Sequence, residues 1–108
     1  MSAYLKYKNG EAVDQVLCKP VLTIGRDKNS DIVLTDLRVS RNHALIRQVG
    51  RSDYYIIDSG SANGSYVNQR RVAMPTLLKN GDLIAIGGVA FVFDQVSKEE
   101  EQSDTLSM

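Results

Sequence analysis

The side chains with the most reactive or polar chemistry lie close together in residues 37–43. This stretch holds a hydroxyl (Ser40), a guanidinium (Arg41) and the only imidazole of the chain (His43). A serine and a histidine form the nucleophile and the general base of many hydrolases. A hydroxyl beside a guanidinium is equally a pair of donors suited to a phosphate group. The residue types therefore leave two chemistries open, nucleophilic catalysis and anion binding.

Two further segments, one on each side of that stretch, carry side chains of the same kind. Gly25 and Arg26 come before it, and Asn63 follows it in the small-residue segment 59–64. A guanidinium is a fork that holds two phosphate oxygens at once, and a primary amide both donates to and accepts from an extended peptide main chain. Phosphothreonine carries about −1.5 to −2 charges and three acceptor oxygens. If the three segments meet, their donors match a phosphorylated peptide.

The elements that must bring these segments together are short β-strands. Apolar residues alternate over short runs, turn residues interrupt the runs, and no segment has a convincing helical period. This pattern predicts an all-β sandwich of about eleven short, mostly antiparallel strands. The predicted strands cover residues 3–7, 12–18, 21–24, 32–34, 43–49, 54–58, 66–67, 71–73, 83–86 and 89–96, with tight hairpin turns at 9–10 and 87–88. Because loops of a sandwich gather at its two ends, the three segments are expected to converge.

Composition excludes several classes of function. Of 13 acidic residues four lie in 97–108, and of 13 basic residues one lies there, which leaves nine acids and twelve bases in the body. A net charge of about +3 is too weak for nonspecific nucleic-acid binding. No apolar run approaches the roughly 20 residues of a membrane helix, and the N-terminus lacks the apolar block of a signal peptide. The single Cys18 and single His43 argue against a disulfide or a structural metal site, so we expect a cytoplasmic protein without a metal or cofactor.

The chain divides into one domain and a short tail. At 108 residues it has enough length for a single core. Beyond Val96 the sequence turns acidic and loses its periodicity. We therefore predict a domain over residues 1–96 and an acidic flexible tail, or the start of a linker, over 97–108.

The sequence resembles the forkhead-associated (FHA) domains. The matching motifs stand in family order over residues 3–96: Gly25-Arg26, Ser40-Arg41-Asn42-His43, Asn63-Gly64-Ser65-Tyr66-Val67-Asn68 and the segment 78–87. The resemblance implies an eleven-stranded β-sandwich that recognises phosphothreonine in extended peptides.

The resemblance also implies a role for each matching residue. Arg26 and Ser40 would hold the phosphate, Arg41 would add a further phosphate or backbone contact, and Asn63 would fix the peptide backbone. The structural positions would be Gly25, which allows a turn, His43, which braces the Ser40 loop, and Gly64 and Asn68, which support the loop carrying Asn63. A pocket for the threonine methyl group would involve Gly87, Gly88 and Val89.

Two positions depart from the family pattern, and three arginines suggest a preference. Ala62 stands where members often have a threonine whose hydroxyl aids phosphate contact. The missing hydrogen bond is expected to reduce phosphopeptide affinity by about 1 kcal/mol. Gln69 replaces a common glycine after Asn68, so that turn is expected to differ in shape. Arg47, Arg70 and Arg71 indicate an acidic residue at the third position after the phosphothreonine.

The predicted function is a phosphothreonine-dependent protein-binding module in signalling, without catalysis. Its partner would be a phosphothreonine-containing protein, which implies a Ser/Thr kinase or its substrate, and neither nucleic acid nor a membrane. One alternative is a phosphate-independent interaction domain. The other is a hydrolase with Ser40 as nucleophile, His43 as base and Asp58 as its orienting group, although no nucleophile elbow or P-loop occurs.

Overall fold

The computed structural model describes residues 2–7, 15–16 and 19–96 and places eleven β-strands in them. In chain order these are β1 (Ser2–Tyr7), β2 (Gln15–Val16), β3 (Val21–Gly25), β4 (Ile32–Val33), β5 (Ala44–Val49), β6 (Asp53–Asp58), β7 (Ser65–Val67), β8 (Arg70–Arg71), β9 (Thr76–Leu77), β10 (Leu83–Ile86) and β11 (Val89–Val96). The predicted hairpin turn at 9–10, most of the predicted strand 12–18 and the predicted tail 97–108 lie outside the described residues.

The strands form two sheets. One has six strands in the order β2-β1-β11-β10-β7-β8, and the other has five in the order β4-β3-β5-β6-β9. The short β3–β4 pair is parallel, and the other strand pairs of the described residues are antiparallel. The prediction of an all-β sandwich with mostly antiparallel strands is confirmed.

The core lies between the sheets because alternate side chains of the longer strands face inwards. In β3, Leu22 and Ile24 are buried while Val21 is exposed, and in β11 Phe91 and Phe93 have no exposed surface. Burial of a side chain of this size stabilises the fold by about 1.5–3 kcal/mol relative to exposure. Tyr54 packs on Phe93 with ring centroids 5.8 Å apart.

Strand register brings the polar loops to one end of the sandwich. Ile24 pairs with Ala44, and Ala44 pairs with Asp58, so β3 ends, β5 begins and β6 ends at the same level. Ser65 at the start of β7 pairs with Ile86 at the end of β10. The three loops carrying Arg26, Ser40 and Asn63 therefore lie together, and the 87–88 turn lies at the same end.

Two details of the strands differ from the sequence prediction. The pattern did not indicate β9, a two-residue edge strand whose Thr76 pairs with Ile56. In addition, β8 occupies Arg70–Arg71 instead of 71–73. The reason is a two-residue turn in which Asn68 and Gln69 both have positive φ, 51° and 70°, the conformation of a tight type I′ hairpin.

Candidate functional site

Arg26 and Ser40 are held side by side by backbone hydrogen bonds between their loops. The Arg26 N–H donates to the Ser40 carbonyl at 3.0 Å, and the Asp27 N–H donates to the Arg41 carbonyl at 3.2 Å. These bonds fix the two loops against each other before any ligand arrives. The guanidinium and the hydroxyl therefore start from neighbouring points of the main chain.

Gly25 is required by this close approach of the two loops. A Cβ at Gly25 would lie 1.9 Å from the Arg41 carbonyl oxygen and 2.8 Å from its carbon. Gly25 is not among the residues with positive φ, so backbone freedom in a turn, the reason expected from the family resemblance, is not the physical reason for the glycine. Any larger residue would push the Arg26 loop away from the Ser40 loop.

The Arg26 side chain is braced at one atom and open at the others. Its Nε donates to the Val39 carbonyl at 2.8 Å, and its two terminal amino groups donate to no acceptor within the described part of the chain. Arg26, Asp27, Lys28 and Arg41 line a cleft of about 360 Å³. The cleft therefore presents three cations and one carboxylate, and Lys28 is a cation that the sequence motifs do not indicate.

Ser40 connects its own loop to the loop that carries Asn63. The Ser40 Oγ accepts a hydrogen bond from the Ala62 N–H at 3.0 Å. Its own hydroxyl proton meets no acceptor among the described residues and stays available to a ligand. The side chain is half-buried, which leaves it reachable from solvent.

His43 braces both loops from behind. It is completely buried, and its Nδ1 accepts from the Ser40 N–H at 3.0 Å. Since Nδ1 is an acceptor, the ring proton of the neutral imidazole is on Nε2, which donates to the Gly64 carbonyl at 2.8 Å. With both nitrogens bonded to the main chain, neither accepts the Ser40 hydroxyl proton. The serine–histidine pair of a hydrolase is not formed.

Asp58 organises the loop before Asn63 instead of orienting His43. Its Oδ1 accepts from the hydroxyls of Ser61 (2.6 Å) and Ser65 (2.7 Å), and its Oδ2 accepts from the N–H groups of Ser61 (2.9 Å) and Gly60 (3.1 Å). Burial raises the pKa of the Asp58 carboxyl, but these hydrogen bonds outweigh it and hold the pKa below its ordinary value. Sequence reasoning missed this network, although an aspartate at a strand end followed by closely spaced serines is a signal for it.

Asn63 reaches across to the stretch that carries Ser40. Its Nδ2 donates to the Arg38 carbonyl at 2.8 Å, while its Oδ1 accepts no hydrogen bond from the described residues. The neighbouring Gly64 has a φ of +84°, a left-handed conformation that favours glycine. The exposed amide oxygen is therefore free to accept from a peptide N–H.

Arg38 lies between Asn63 and the predicted methyl pocket. A Cβ at Gly88 would lie 1.9 Å from the Arg38 Nη2, and one at Gly87 would lie 2.7 Å from Cγ2 of Val39. Val89 packs against the core. The 87–89 hairpin thus adjoins the Ser40 stretch through Arg38 and Val39, and its role as a methyl pocket stays a prediction.

The Arg38 side chain is itself paired. Its Nη2 lies 2.8 Å from Oδ2 of Asp36; the Arg38 side chain is exposed and the Asp36 side chain is partly buried. Hydrogen bonds from Arg38 lower the pKa of Asp36 to about 2. Sequence reasoning did not single out Arg38, although it stands only two positions before Ser40.

Asn68 has a different place from the one expected. It follows β7, whereas Asn63 precedes it, so the two lie at opposite ends of that strand. Its Nδ2 donates to Oδ1 of Asp82 at 2.9 Å, and its Oδ1 accepts from the Leu83 N–H at 3.0 Å. Asn68 therefore ties the β7–β8 turn to β10, and neither of these hydrogen bonds reaches the Asn63 loop.

The three arginines expected to select an acidic residue do not lie together. Arg47 faces outwards from the middle of the five-stranded sheet, beside Val49 and Tyr55. Arg70 and Arg71 form β8, at the edge of the other sheet. A common role for all three is inconsistent with this arrangement, because Arg47 lies on the outer face of an internal strand of one sheet, whereas Arg70 and Arg71 lie on an edge strand of the other.

The described residues contain no group of three or more His, Cys, Asp or Glu side chains placed to hold a metal ion. The described residues form strands and no helix, so no helix among them is long and apolar enough to cross a membrane.

Fold and site define a β-sandwich that presents cations, a hydroxyl and an amide on loops at one end. The model of the FHA domain family matches residues 22–87, more than half of the chain. The chain belongs to the FHA domain family.

Similar proteins include regulators and phosphothreonine-binding modules. The chain is 42% identical over 100 residues to an oxoglutarate dehydrogenase inhibitor of Corynebacterium jeikeium, covering 91% of this chain and 68% of that one. It is 40% identical over 94 residues to the glycogen accumulation regulator GarA of Mycolicibacterium smegmatis, covering 85% and 58%. A structure from a study of phosphothreonine-dependent FHA domain interactions superposes with a TM-score of 0.83 at 28% identity, covering 90% and 99%. The chain thus spans only part of the length of these two regulators.

Proposed function

We propose that this domain is a phosphothreonine-dependent protein-binding module that holds an extended phosphopeptide in the loops at one end of its sandwich. The observation that carries the proposal is the pairing of Arg26 and Ser40. A backbone hydrogen bond of 3.0 Å holds the two residues together, and each directs donors that have no partner among the described residues. A guanidinium fork beside a hydroxyl is a receptor for a phosphate dianion.

Each neighbouring group has a part in this binding. The terminal amino groups of Arg26 contact two phosphate oxygens, and the Ser40 hydroxyl donates to the phosphate. Arg41 and Lys28 add positive potential in the same cleft. The Asn63 amide oxygen accepts from the peptide main chain beside the phosphothreonine. Gly25, His43 and Gly64 act through the backbone positions that they fix.

Selection of threonine over serine depends on one methyl group. Its burial contributes about 0.8 kcal/mol, and the surface that we assign to it is the Gly87, Gly88 and Val89 hairpin. Ala62 offers no hydroxyl of its own to the phosphate, although its N–H holds Ser40.

The partner is a phosphothreonine-containing protein, either a Ser/Thr kinase or the substrate of one, and the domain acts by binding, not by catalysis. Two relatives are named as an inhibitor of oxoglutarate dehydrogenase and as a regulator of glycogen accumulation, which supports a regulatory role. The engagement of both His43 nitrogens by the main chain argues against an esterase. A cytoplasmic location stays a prediction, as does the division into a domain over 1–96 and a tail over 97–108.

The first experiment is a screen of the domain against an oriented phosphothreonine peptide library, followed by titration of the selected peptide. We expect Arg26→Ala to weaken this peptide by roughly 2–5 kcal/mol, as when one partner of a close charge pair is removed. The matched control is Arg51→Ala, which removes an exposed arginine from the β5–β6 turn at the other end of the sandwich. Unchanged affinity in Arg26→Ala would overturn the site. If the domain bound the unphosphorylated peptide as tightly as the phosphopeptide, and Arg26→Ala kept that affinity, a phosphate-independent interaction domain would be favoured instead.

A further inference from the structure

A second basic surface lies beside the Asn63 loop, on the side of the sandwich where an edge strand of each sheet is exposed. Here β8 is the edge of the six-stranded sheet and β9 is the edge of the five-stranded sheet. Between them lies a cleft of about 600 Å³, which we call the lateral cleft. Its lining includes Val67, Arg70, Arg71, Leu77, Lys79 and Asp82.

The lateral cleft is continuous with the proposed phosphopeptide site. Arg71 lies directly over Gly64, because a Cβ there would be 3.1 Å from the Arg71 Nε and 3.3 Å from its Cζ. Gly64 is the residue next to Asn63. A peptide that leaves the Asn63 amide on this side therefore meets the Arg71 guanidinium first.

From that point the cleft runs along the side of the molecule. β9 and the residues after it run antiparallel to β6, with Thr76 paired to Ile56 and the Leu78 N–H donating to the Tyr54 carbonyl. Since β6 ends at the binding loops, Lys79 lies at the end of the cleft far from them. The distance from Thr76 to Lys79 is roughly 10 Å at the rise of a strand, about three extended residues.

The charges of the lateral cleft are unbalanced. Arg70, Arg71 and Lys79 are all exposed, and no acidic side chain of the described residues forms an ion pair with them. The one carboxylate in the wall, Asp82, accepts at Oδ1 from Nδ2 of Asn68 (2.9 Å) and at Oδ2 from the Lys79 N–H (2.7 Å). Both donors are neutral, so Asp82 keeps its charge, and the cleft holds three cations against one carboxylate.

The shape and charge of the cleft fit an extended acidic peptide better than other anions. Leu77, which is 38% exposed, supplies apolar surface in this cleft against which side-chain stems can pack. Three cations are too few to hold a nucleic acid at physiological salt. The cations are instead distributed along the cleft, from Arg71 beside Gly64 to Lys79 at the far end, so they can face several carboxylates of one extended chain.

We propose that the lateral cleft binds an acidic segment of the same phosphorylated partner, close in sequence to its phosphothreonine. This inference rests on the proposed function of the Arg26 and Ser40 site and adds the class of flanking sequence that the domain selects. The domain would then read two features of one partner, a phosphothreonine and a run of carboxylates beside it.

The test uses three phosphothreonine peptides with the same core and the full 108-residue chain. One peptide has neutral glutamine flanks, one has about three glutamates on the amino-terminal side of the phosphothreonine, and one has them on the carboxyl-terminal side. About three extended residues are the length that spans the cleft. The cleft variant is Arg70→Gln with Lys79→Gln, which leaves Arg71 over Gly64 undisturbed. The control variant is Arg47→Gln with Arg51→Gln, which removes the same charge elsewhere.

We expect the wild type to bind one of the two glutamate peptides about three- to tenfold more tightly than the neutral peptide at low salt, the scale of a few exposed ion pairs. The control should keep this preference, the cleft variant should lose it, and all three proteins should bind the neutral peptide equally. The proposed role of the lateral cleft, and nothing else, would be overturned if the wild type showed no preference, if the cleft variant kept the preference, or if the control lost it equally. Failure of the wild type to bind the neutral phosphopeptide would overturn the proposed function, and the cleft's role in it as well.

Discussion

At the scale of the residue, His43 connects the Ser40 loop and the Asn63 loop while its own side chain is completely buried. Its ring accepts from the Ser40 N–H and donates to the Gly64 carbonyl, so one side chain fixes the backbone that presents Ser40 and the backbone next to Asn63. The sequence motifs indicated which loops meet at this end of the sandwich, and the family resemblance implied that His43 braces the Ser40 loop. Its second bond, to the loop 21 residues further along, follows only from the folded chain.

Replacement of His43 should therefore reduce both stability and affinity. His43→Ala leaves the Ser40 N–H and the Gly64 carbonyl without their partner in a buried place, which costs about 1–3 kcal/mol for each group. We expect a lower free energy of unfolding in urea and weaker phosphopeptide binding by titration. Asn42→Ala, at an exposed neighbouring position, is the control and should change neither. Full affinity in a destabilised His43→Ala domain would show that the Ser40 loop keeps its place without the imidazole.

At the scale of the element, hydrophobic alternation was sufficient for the long strands and insufficient for the short ones. β5 and β6 each have six residues with alternating burial, and their positions were predicted to within one residue. β9 has two residues, too few for a period, and the conformation of the β7–β8 turn depends on a left-handed Gln69 that its residue type does not favour. Edge elements such as these are set by tertiary contacts.

The β7–β8 turn offers a stabilising substitution. Gln69 has a φ of 70°, and a residue other than glycine in the left-handed region costs roughly 1 kcal/mol. Gln69→Gly should raise the free energy of unfolding by up to about that amount, because an Asn-Gly pair suits this turn. Gln69→Ala keeps the strain and should give no gain. A loss of stability in the glycine variant, measured in the same urea titrations, would mean that the Gln69 side chain contributes more than its backbone costs.

The loop between β6 and β7 should make stability depend on pH through Asp58. The hydrogen bonds of its carboxylate lower the folded-state pKa below the ordinary value of 3.8. A depressed pKa contributes stability that is present above the unfolded-state pKa and lost as the pH falls through the folded-state value. The difference in unfolding free energy between the wild type and Asp58→Asn should therefore be constant near neutral pH and narrow below about pH 4.

Ser59→Ala is the control for this loop, since Ser59 is exposed and its hydroxyl does not bond the carboxylate. This variant should follow the wild-type pH profile. A difference between the wild type and Asp58→Asn that stays constant down to pH 2 would contradict a lowered pKa for Asp58.

At the scale of the whole molecule, the arrangement of strands decides which predicted residues can act together. Arg47, Arg70 and Arg71 looked alike in the sequence, but β5 is internal and β8 is an edge strand. The loops carrying Arg26, Ser40 and Asn63 converge because β3, β5 and β6 are neighbours with aligned ends. This convergence could be predicted from the sequence, since loops of a sandwich gather at its two ends. The lateral cleft depends on two short edges of different sheets meeting, and no local pattern indicates that.

The same arrangement determines where the chain can be shortened. β1 pairs with β11 along the whole length of β1, from Tyr7 with Phe91 to Ser2 with Val96, so the paired part of β11 extends to residue 96. If residues 97–108 are a tail, as predicted, a chain of residues 1–96 should unfold within about 0.5 kcal/mol of the full chain, since surface changes away from packed features have effects of that size. It should also bind the selected phosphopeptide with the same affinity.

Removal of the last strand residues should have the opposite result. A chain that ends at residue 90 loses Phe91 and Phe93, both without exposed surface. Truncation of a single buried phenylalanine to alanine already costs about 3–5 kcal/mol, and a domain of this size has a total stability of about 5–15 kcal/mol. We therefore expect circular dichroism and thermal melting to show an unfolded chain for residues 1–90 and a cooperative transition for 1–96. A clear loss of stability in the 1–96 chain would place part of the folded domain beyond Val96 and overturn the predicted boundary.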